Sequence, residues 1–266
     1  MMASSSDQVQ ILECYQNWMI EQQQLLQELL QVRSQKPNDE QELCCIIEKL
    51  IKHFQEYTNR RAQLAVDKAS SIFSPMWCTS IENSYLWFGG CRPSLLIQLV
   101  YTLCGSQLES QLSEHLQGVR RGNLVELSAD QLSRVSELRC STIREEQRLS
   151  RRMAGLQENI ADSPLTRFAS NNSDVIETES HIEQVDQALD SHSKDLASVL
   201  VDSDKLRMNT LKELIGIFTP LQAVDFLIAG KKLHLCMHQW GQRRDHLHGH
   251  RKTLRSCGYI RRPLHL

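Results

Sequence analysis

Glycine and proline are scarce in this chain, 11 and 6 among 266 residues, and short β-branched runs bounded by turn residues are missing. Both absences argue against a sheet-built fold. Long apolar runs are absent too, since none approaches the roughly 20 residues a bilayer-crossing helix needs. The polar segment Met1 to Asp7 lacks the basic-then-apolar pattern of a secretory leader. Nine cysteines are spaced irregularly, with no CxxC pair, which indicates neither a disulfide framework nor a zinc ribbon. A soluble, internal protein with reduced thiols is expected, with no membrane association. Catalytic signatures are missing as well: there is no GxSxG elbow, GxxxxGK[ST] phosphate loop or HExxH pair. A non-enzymatic, binding protein is the expectation.

What is abundant is Leu, Gln, Glu, Lys and Arg, whose unbranched side chains lose little freedom on a helix. Apolar residues recur at steps of three and four, as on one face of a helix. The first stripe is Ile11, Tyr15, Trp18, Leu25 and Leu29, with Gln22 in the missing slot. Pro37 and Asn38 interrupt, and a second stripe follows at Leu43, Ile47, Leu50, Phe54 and Tyr57. Two such helices with a short turn between them fold back as an antiparallel pair. The Gly89-Gly90 pair reads as the end of a short helix, Pro93 as the first turn of the next, and Gly105 as that helix's stop. Ser128 and Gln131 form a capping box opening a long helix. The segment from Thr166 to Asp174 is the candidate linker, and Thr219-Pro220 starts a final helix ending near Trp240. The expected fold is all-α, a bundle of long amphipathic helices with short connections. Its parts are a flexible N-terminus (1–10), a helical domain (11–241) and a basic, His-containing, disordered tail (242–266). The heptads break at Gln22, Arg61 and His192, which favours packing within one chain and leaves a homodimer open.

Charge is uneven. From Gly241 to Leu266 there are seven basic residues and one acid, against a net −2 for the whole chain. The acidic body argues against a nucleic-acid surface along the whole molecule, although the tail could touch nucleic acid or an acidic partner. One constellation has ligand character, His234-Leu235-Cys236-Met237-His238. Residues four apart share a helical face, so the two imidazoles could chelate a small metal ion, or one could be an axial ligand to haem iron. Lys231 and Lys232 would then offer charge to haem propionates. Two rings one turn apart cannot easily admit a macrocycle between them. One histidine would therefore ligate while the other supports, unless a second chain contributes. Equally, the pair reads as polar residues on a half-exposed terminal helix.

Three blocks carry a family resemblance. They are Trp87-Phe88-Gly89-Gly90-Cys91-Arg92-Pro93-Ser94 with Leu99 to Gln107 behind it, Leu127-Ser128-Ala129-Asp130-Gln131-Leu132, and Ala229 to Gly241. In collinear order from about Ile11 to Gly241, the chain resembles the plant delay-of-germination family. That resemblance implies a seed-dormancy regulator of the nucleus and cytoplasm that binds haem and restrains type 2C protein phosphatases of abscisic acid signalling. The family's haem histidines fall on His234 and His238. Its phosphatase-contact run, Asp-Ser-Tyr-Leu-Glu-Trp, falls on Glu13, Cys14, Tyr15, Gln16, Asn17 and Trp18. Tyr15 and Trp18 are retained, and both also fit the core stripe of the first helix. The same domain follows the basic leucine zipper in plant factors that bind TGACG elements, which suggests a transcription-associated or zipper-partner role as the alternative. Only a few residues precede the first helix here, so DNA specificity would need another source.

Overall fold

The computed structural model describes residues 5–75, 77–116, 127–159 and 179–258. Seven helices lie among them: α1 (Ser5–Gln35), α2 (Glu40–Phe73), α3 (Ser80–Ser84), α4 (Ser94–Leu116), α5 (Ala129–Asn159), α6 (Glu179–Ile217) and α7 (Pro220–Gly258). The all-α expectation holds, and no named strand occurs among the described residues. The expected linker around residues 166–174 lies outside them.

Helix starts follow local chemistry. Asp39 caps α2 by accepting from the Glu42 N–H at 3.2 Å. The expected Ser128–Gln131 box opens α5, with Gln131 N–H donating to Ser128 Oγ at 3.1 Å and Ser128 N–H donating to Gln131 Oε1 at 3.0 Å. The same box recurs at Thr79–Glu82 before α3 and at Thr219–Gln222 before α7. Each box satisfies two backbone N–H groups that the first helical turn leaves without partners.

α1 and α2 form the expected antiparallel hairpin. Lys36 pairs with Glu42 near the turn, Glu28 with Lys49 further out, and Glu21 with His53 beyond. α6 packs along α2 and α5, and α7 closes the bundle against α1, α2 and α3. Leu29, Ile97, Val135, Leu214 and Val224 are fully buried in one shared core. Burying each of these stabilises the fold by about 1.5–3 kcal/mol.

The residues that break the apolar pattern hold the helices together. Arg61 and Arg207 flank the buried Asp204, at 3.6 and 2.6 Å. Above them the chain turns tightly at Trp87–Gly90, where Phe88 and Gly89 both take positive φ (47° and 66°). The carbonyls of this turn face the guanidiniums. Arg61 donates to Gly89 O at 2.9 Å, and Arg207 to Trp87 O, to Phe88 O at 3.1 Å and to Cys91 O at 2.7 Å. A Cβ at Gly89 would stand 2.9 Å from both Arg61 Nη2 and Ile72 O, so only glycine fits.

Three local expectations are corrected. The Gly89-Gly90 pair belongs to this turn, Gly89 at its tip and Gly90 paired with Trp87, and does not end a helix, because Arg61 and Arg207 take carbonyls that a helix would use internally. α4 runs through Gly105 to Leu116, since a lone glycine weakens a helix without ending it. α1 begins at Ser5. α7 passes Trp240, where the sequence pattern ends it, and continues to Gly258. Gly241 lies inside α7. It is buried against Thr79, whose Oγ1 would lie 2.1 Å from a Cβ placed there.

Candidate functional site

α7 presents His234 and His238 to the side where α1, α2 and α3 meet. Both rings bear on one aromatic wall, as their spacing predicts. Trp18 of α1 stacks on Tyr57 of α2 with centroids 4.5 Å apart, and His234 stands edge-on to Trp18 at 5.0 Å. Tyr15 lies 6.3 Å from the His238 ring and 5.9 Å from Trp77. Tyr15 and Trp18 therefore face inward, as the core stripe predicts, and their aromatic faces are already covered. Glu13, Gln16 and Asn17 are exposed on the outer side of α1, with Cys14 half-buried.

The two histidines sit in different electrostatic surroundings. His238 holds both ring nitrogens in contacts, Nδ1 with Glu82 Oε1 at 2.9 Å and Nε2 with Gln242 Nε2 at 2.9 Å. Tyr15 donates to the same Glu82 oxygen at 3.3 Å. Glu82 is buried, which pushes its carboxyl up. The Thr79 hydrogen bonds and His238 outweigh this and hold it below the usual carboxylate range. Burial, reinforced by Glu82, drives the Tyr15 phenol far above its ordinary range. At His234 burial outweighs the nearby Glu82 charge and lowers the pKa to about 4. His234 is a neutral ring at physiological pH.

A second polar chain runs beside it. Buried Lys231 donates to Gln22 Oε1, and burial lowers its pKa to about 8. Gln22 Nε2 meets His53 Nε2 at 3.0 Å, and His53 Nδ1 pairs with Glu21 at 3.0 Å. This corrects one expectation. Lys231 is only 8% exposed and committed to Gln22, so it does not reach out toward a ligand's carboxylates. Lys232 is exposed.

The donor set suits one-sided ligation of a haem. Glu82 fixes the His238 ring through Nδ1, leaving Nε2 on the more open side, where the Gln242 amide is the group to displace. A carboxylate behind a ligating imidazole orients it and raises its basicity. A haem held between His234 and His238 is not suited, because both rings leave one helix and pack against the same wall. Cys236 is exposed and stands apart from both rings. Among the described residues, no three His, Cys, Asp or Glu side chains come together to hold a metal ion. A cavity of about 220 Å³ between α4 and α7 lies elsewhere, lined by Val100, Leu103, Phe218 and Phe226 among others.

Glu82 is the site residue that the sequence reading missed. Its signal was present as Thr79-x-x-Glu82, a capping box of the kind recognised at Ser128. Its second role, on His238, joins residues 156 positions apart. No helix among the described residues is long and apolar enough to cross a membrane.

Comparison with known proteins gives a consistent answer. Residues 23–102 match the family described as "DOG1: Seed dormancy control". The chain is 36% identical over 257 residues to Protein DOG1-like 3 of Arabidopsis thaliana, covering 91% of this chain and 88% of that one. It is 38% identical over 254 residues to Protein DOG1-like 1 of the same plant, covering 88% and 89%. Similarity to Transcription factor TGA2.3 of Oryza sativa subsp. japonica is weaker, 27% over 214 residues, and covers 80% of this chain but 58% of that factor.

Proposed function

This chain belongs to the DOG1 seed-dormancy-control family, and from that premise we propose that it is a non-enzymatic regulator of seed dormancy and germination in abscisic acid signalling that binds haem and restrains type 2C protein phosphatases. The observation that carries the haem arm is the Glu82–His238 pair at 2.9 Å. It gives one imidazole the carboxylate backing of an axial ligand. His234 supports it as a neutral ring on the apolar side. Bound haem would supply a redox- and gas-responsive iron.

The phosphatase arm rests on α1. Tyr15 and Trp18 hold the aromatic wall, so contact with a phosphatase falls to the exposed Glu13, Gln16 and Asn17 beside them. Haem and phosphatase sites would then share one wall, and occupancy of one could be felt by the other through Tyr15 and Glu82.

Haemin titration followed at the Soret band tests the first arm. His238→Ala is expected to abolish the shift, while His234→Ala weakens it. An unchanged spectrum in the double variant overturns the assignment. A pull-down with abscisic acid pathway phosphatases tests the second, with Glu13→Lys and Asn17→Lys expected to weaken capture. Absence of capture by the folded wild type overturns it.

A further inference from the structure

The outer face of α7 carries an apolar stripe exposed to solvent. Leu233, Trp240 and Leu247 are 50, 63 and 64% exposed. Their interval of seven residues aligns them along one side of the helix, as in a coiled-coil seam. In the sequence the same interval falls next on Leu254. Cys236 lies in the intervening position, also exposed. Single exposed apolar residues are ordinary, but a helical row in register marks an interaction surface.

The charge around the row has one sign. Lys232, Arg243 and Arg244 are exposed beside it, and the Arg243 guanidinium lies over the Trp240 ring at 5.3 Å. Between Lys232 and Lys252 the only acid in the sequence is Asp245. Asp245 is turned toward the bundle, where it accepts from the Ser80 N–H at 2.9 Å at the start of α3. Solvent therefore meets an apolar row bordered by cations. A second copy of this helix would bring like charges together, which disfavours self-pairing.

We propose that this face docks an acidic amphipathic helix from a partner protein. The partner's own apolar heptad row packs on Leu233, Trp240 and Leu247, and its flanking carboxylates meet Lys232, Arg243 and Arg244. Trp240 is the anchor, since a rigid ring with a stacked Arg supplies both area and charge. The site is independent of the haem and phosphatase readings, because His234 and His238 turn to α1 and α3 while this row faces away from them.

The test uses the full chain and a fluorescein-labelled peptide of about three heptads, with Leu at the seam and Glu at the flanks. Fluorescence anisotropy is expected to show binding that weakens with salt. The double variant Trp240→Ser, Leu247→Ser should weaken it about tenfold or more, and Arg243→Glu, Arg244→Glu should do likewise. Because these side chains are exposed, circular dichroism should confirm an unchanged fold. The proposal is overturned by no binding to the acidic peptide, by equal binding of the same peptide with Lys at the flanks, or by variants that bind as wild type does. It is also overturned if the wild type forms a dimer that the first variant dissolves, or if phosphatidylserine vesicles or duplex DNA bind this face while the peptide does not.

Discussion

Replacing Gly241 by Ala sets two effects against each other, and the structure says which wins. In an ordinary helix interior the change stabilises by about 1 kcal/mol, because glycine loses the most backbone freedom on folding. At Gly241 the added methyl would lie 2.1 Å from Thr79 Oγ1, 2.7 Å from Thr79 Cβ and 3.0 Å from Thr79 Cγ2. A Cβ has no rotamer by which to escape, so backbone must move. Overpacking of this kind costs about 1–3 kcal/mol. Thr79 is also the N-cap of α3, and disturbing a cap costs about 1 kcal/mol more. The net expectation is a loss of about 1–3 kcal/mol. The internal comparison is Gly216→Ala on α6, where a Cβ would meet nothing within 4 Å and a gain of about 0.5–1 kcal/mol is expected. Urea unfolding followed by circular dichroism measures both. If Gly241→Ala matched Gly216→Ala in sign, the contact between α7 and the start of α3 would not exist as described. Displacing Thr79 also loosens Glu82, so the same variant should weaken haemin binding, although no substituted residue touches the ligand.

Two further predictions concern buried charge. Asp204→Ala leaves the guanidiniums of Arg61 and Arg207, 9 and 3% exposed in their side chains, without their carboxylate. A loss of about 3–5 kcal/mol is expected by urea unfolding, and a loss under about 1 kcal/mol would mean that the carbonyls of the Trp87–Gly90 turn suffice. His234 makes stability depend on pH. Its pKa is depressed to about 4 in the fold from an ordinary 6.5, so the unfolded chain takes up the proton first. Its contribution is complete above about pH 6.5 and is lost as pH falls toward 4. The loss at pH 5 amounts to about 2 kcal/mol. His53, also depressed by burial, adds in the same direction. The informative quantity is therefore the difference between wild type and His234→Phe, compared at pH 7 and pH 5. Equal pH dependence in the two proteins would show that His234 is not shielded from water.

Much of the architecture was legible because it is written at short range. The step of three and four residues placed Leu25, Leu29, Leu43, Ile47 and Leu50 correctly in the core. The Ser128–Gln131 box marked the start of α5 from side chains three residues apart. His234 and His238 share a face for the same reason. Glycine is ambiguous at Gly105 and at Gly89-Gly90, since a glycine signals a stop, a tight turn or neither. Only the neighbours decide which. Gln22 and Arg61 were read as interruptions of a heptad and are instead buried links to Lys231 and Asp204.

The sequence by itself determined the helical class, the faces of the helices, the Ser128–Gln131 cap and the pairing of two imidazoles on α7. Each depends on residues within about one turn of one another, whose geometry any helix supplies. The tertiary structure alone decided that Glu82 backs His238 and that Lys231 is buried while Lys232 is not. It also decided that Asp204 serves two arginines, and that Leu233, Trp240 and Leu247 are left outside. Those outcomes turn on how each helix is rotated and how close its neighbours approach. Those are settled by packing across more than a hundred residues of chain, which no local pattern records.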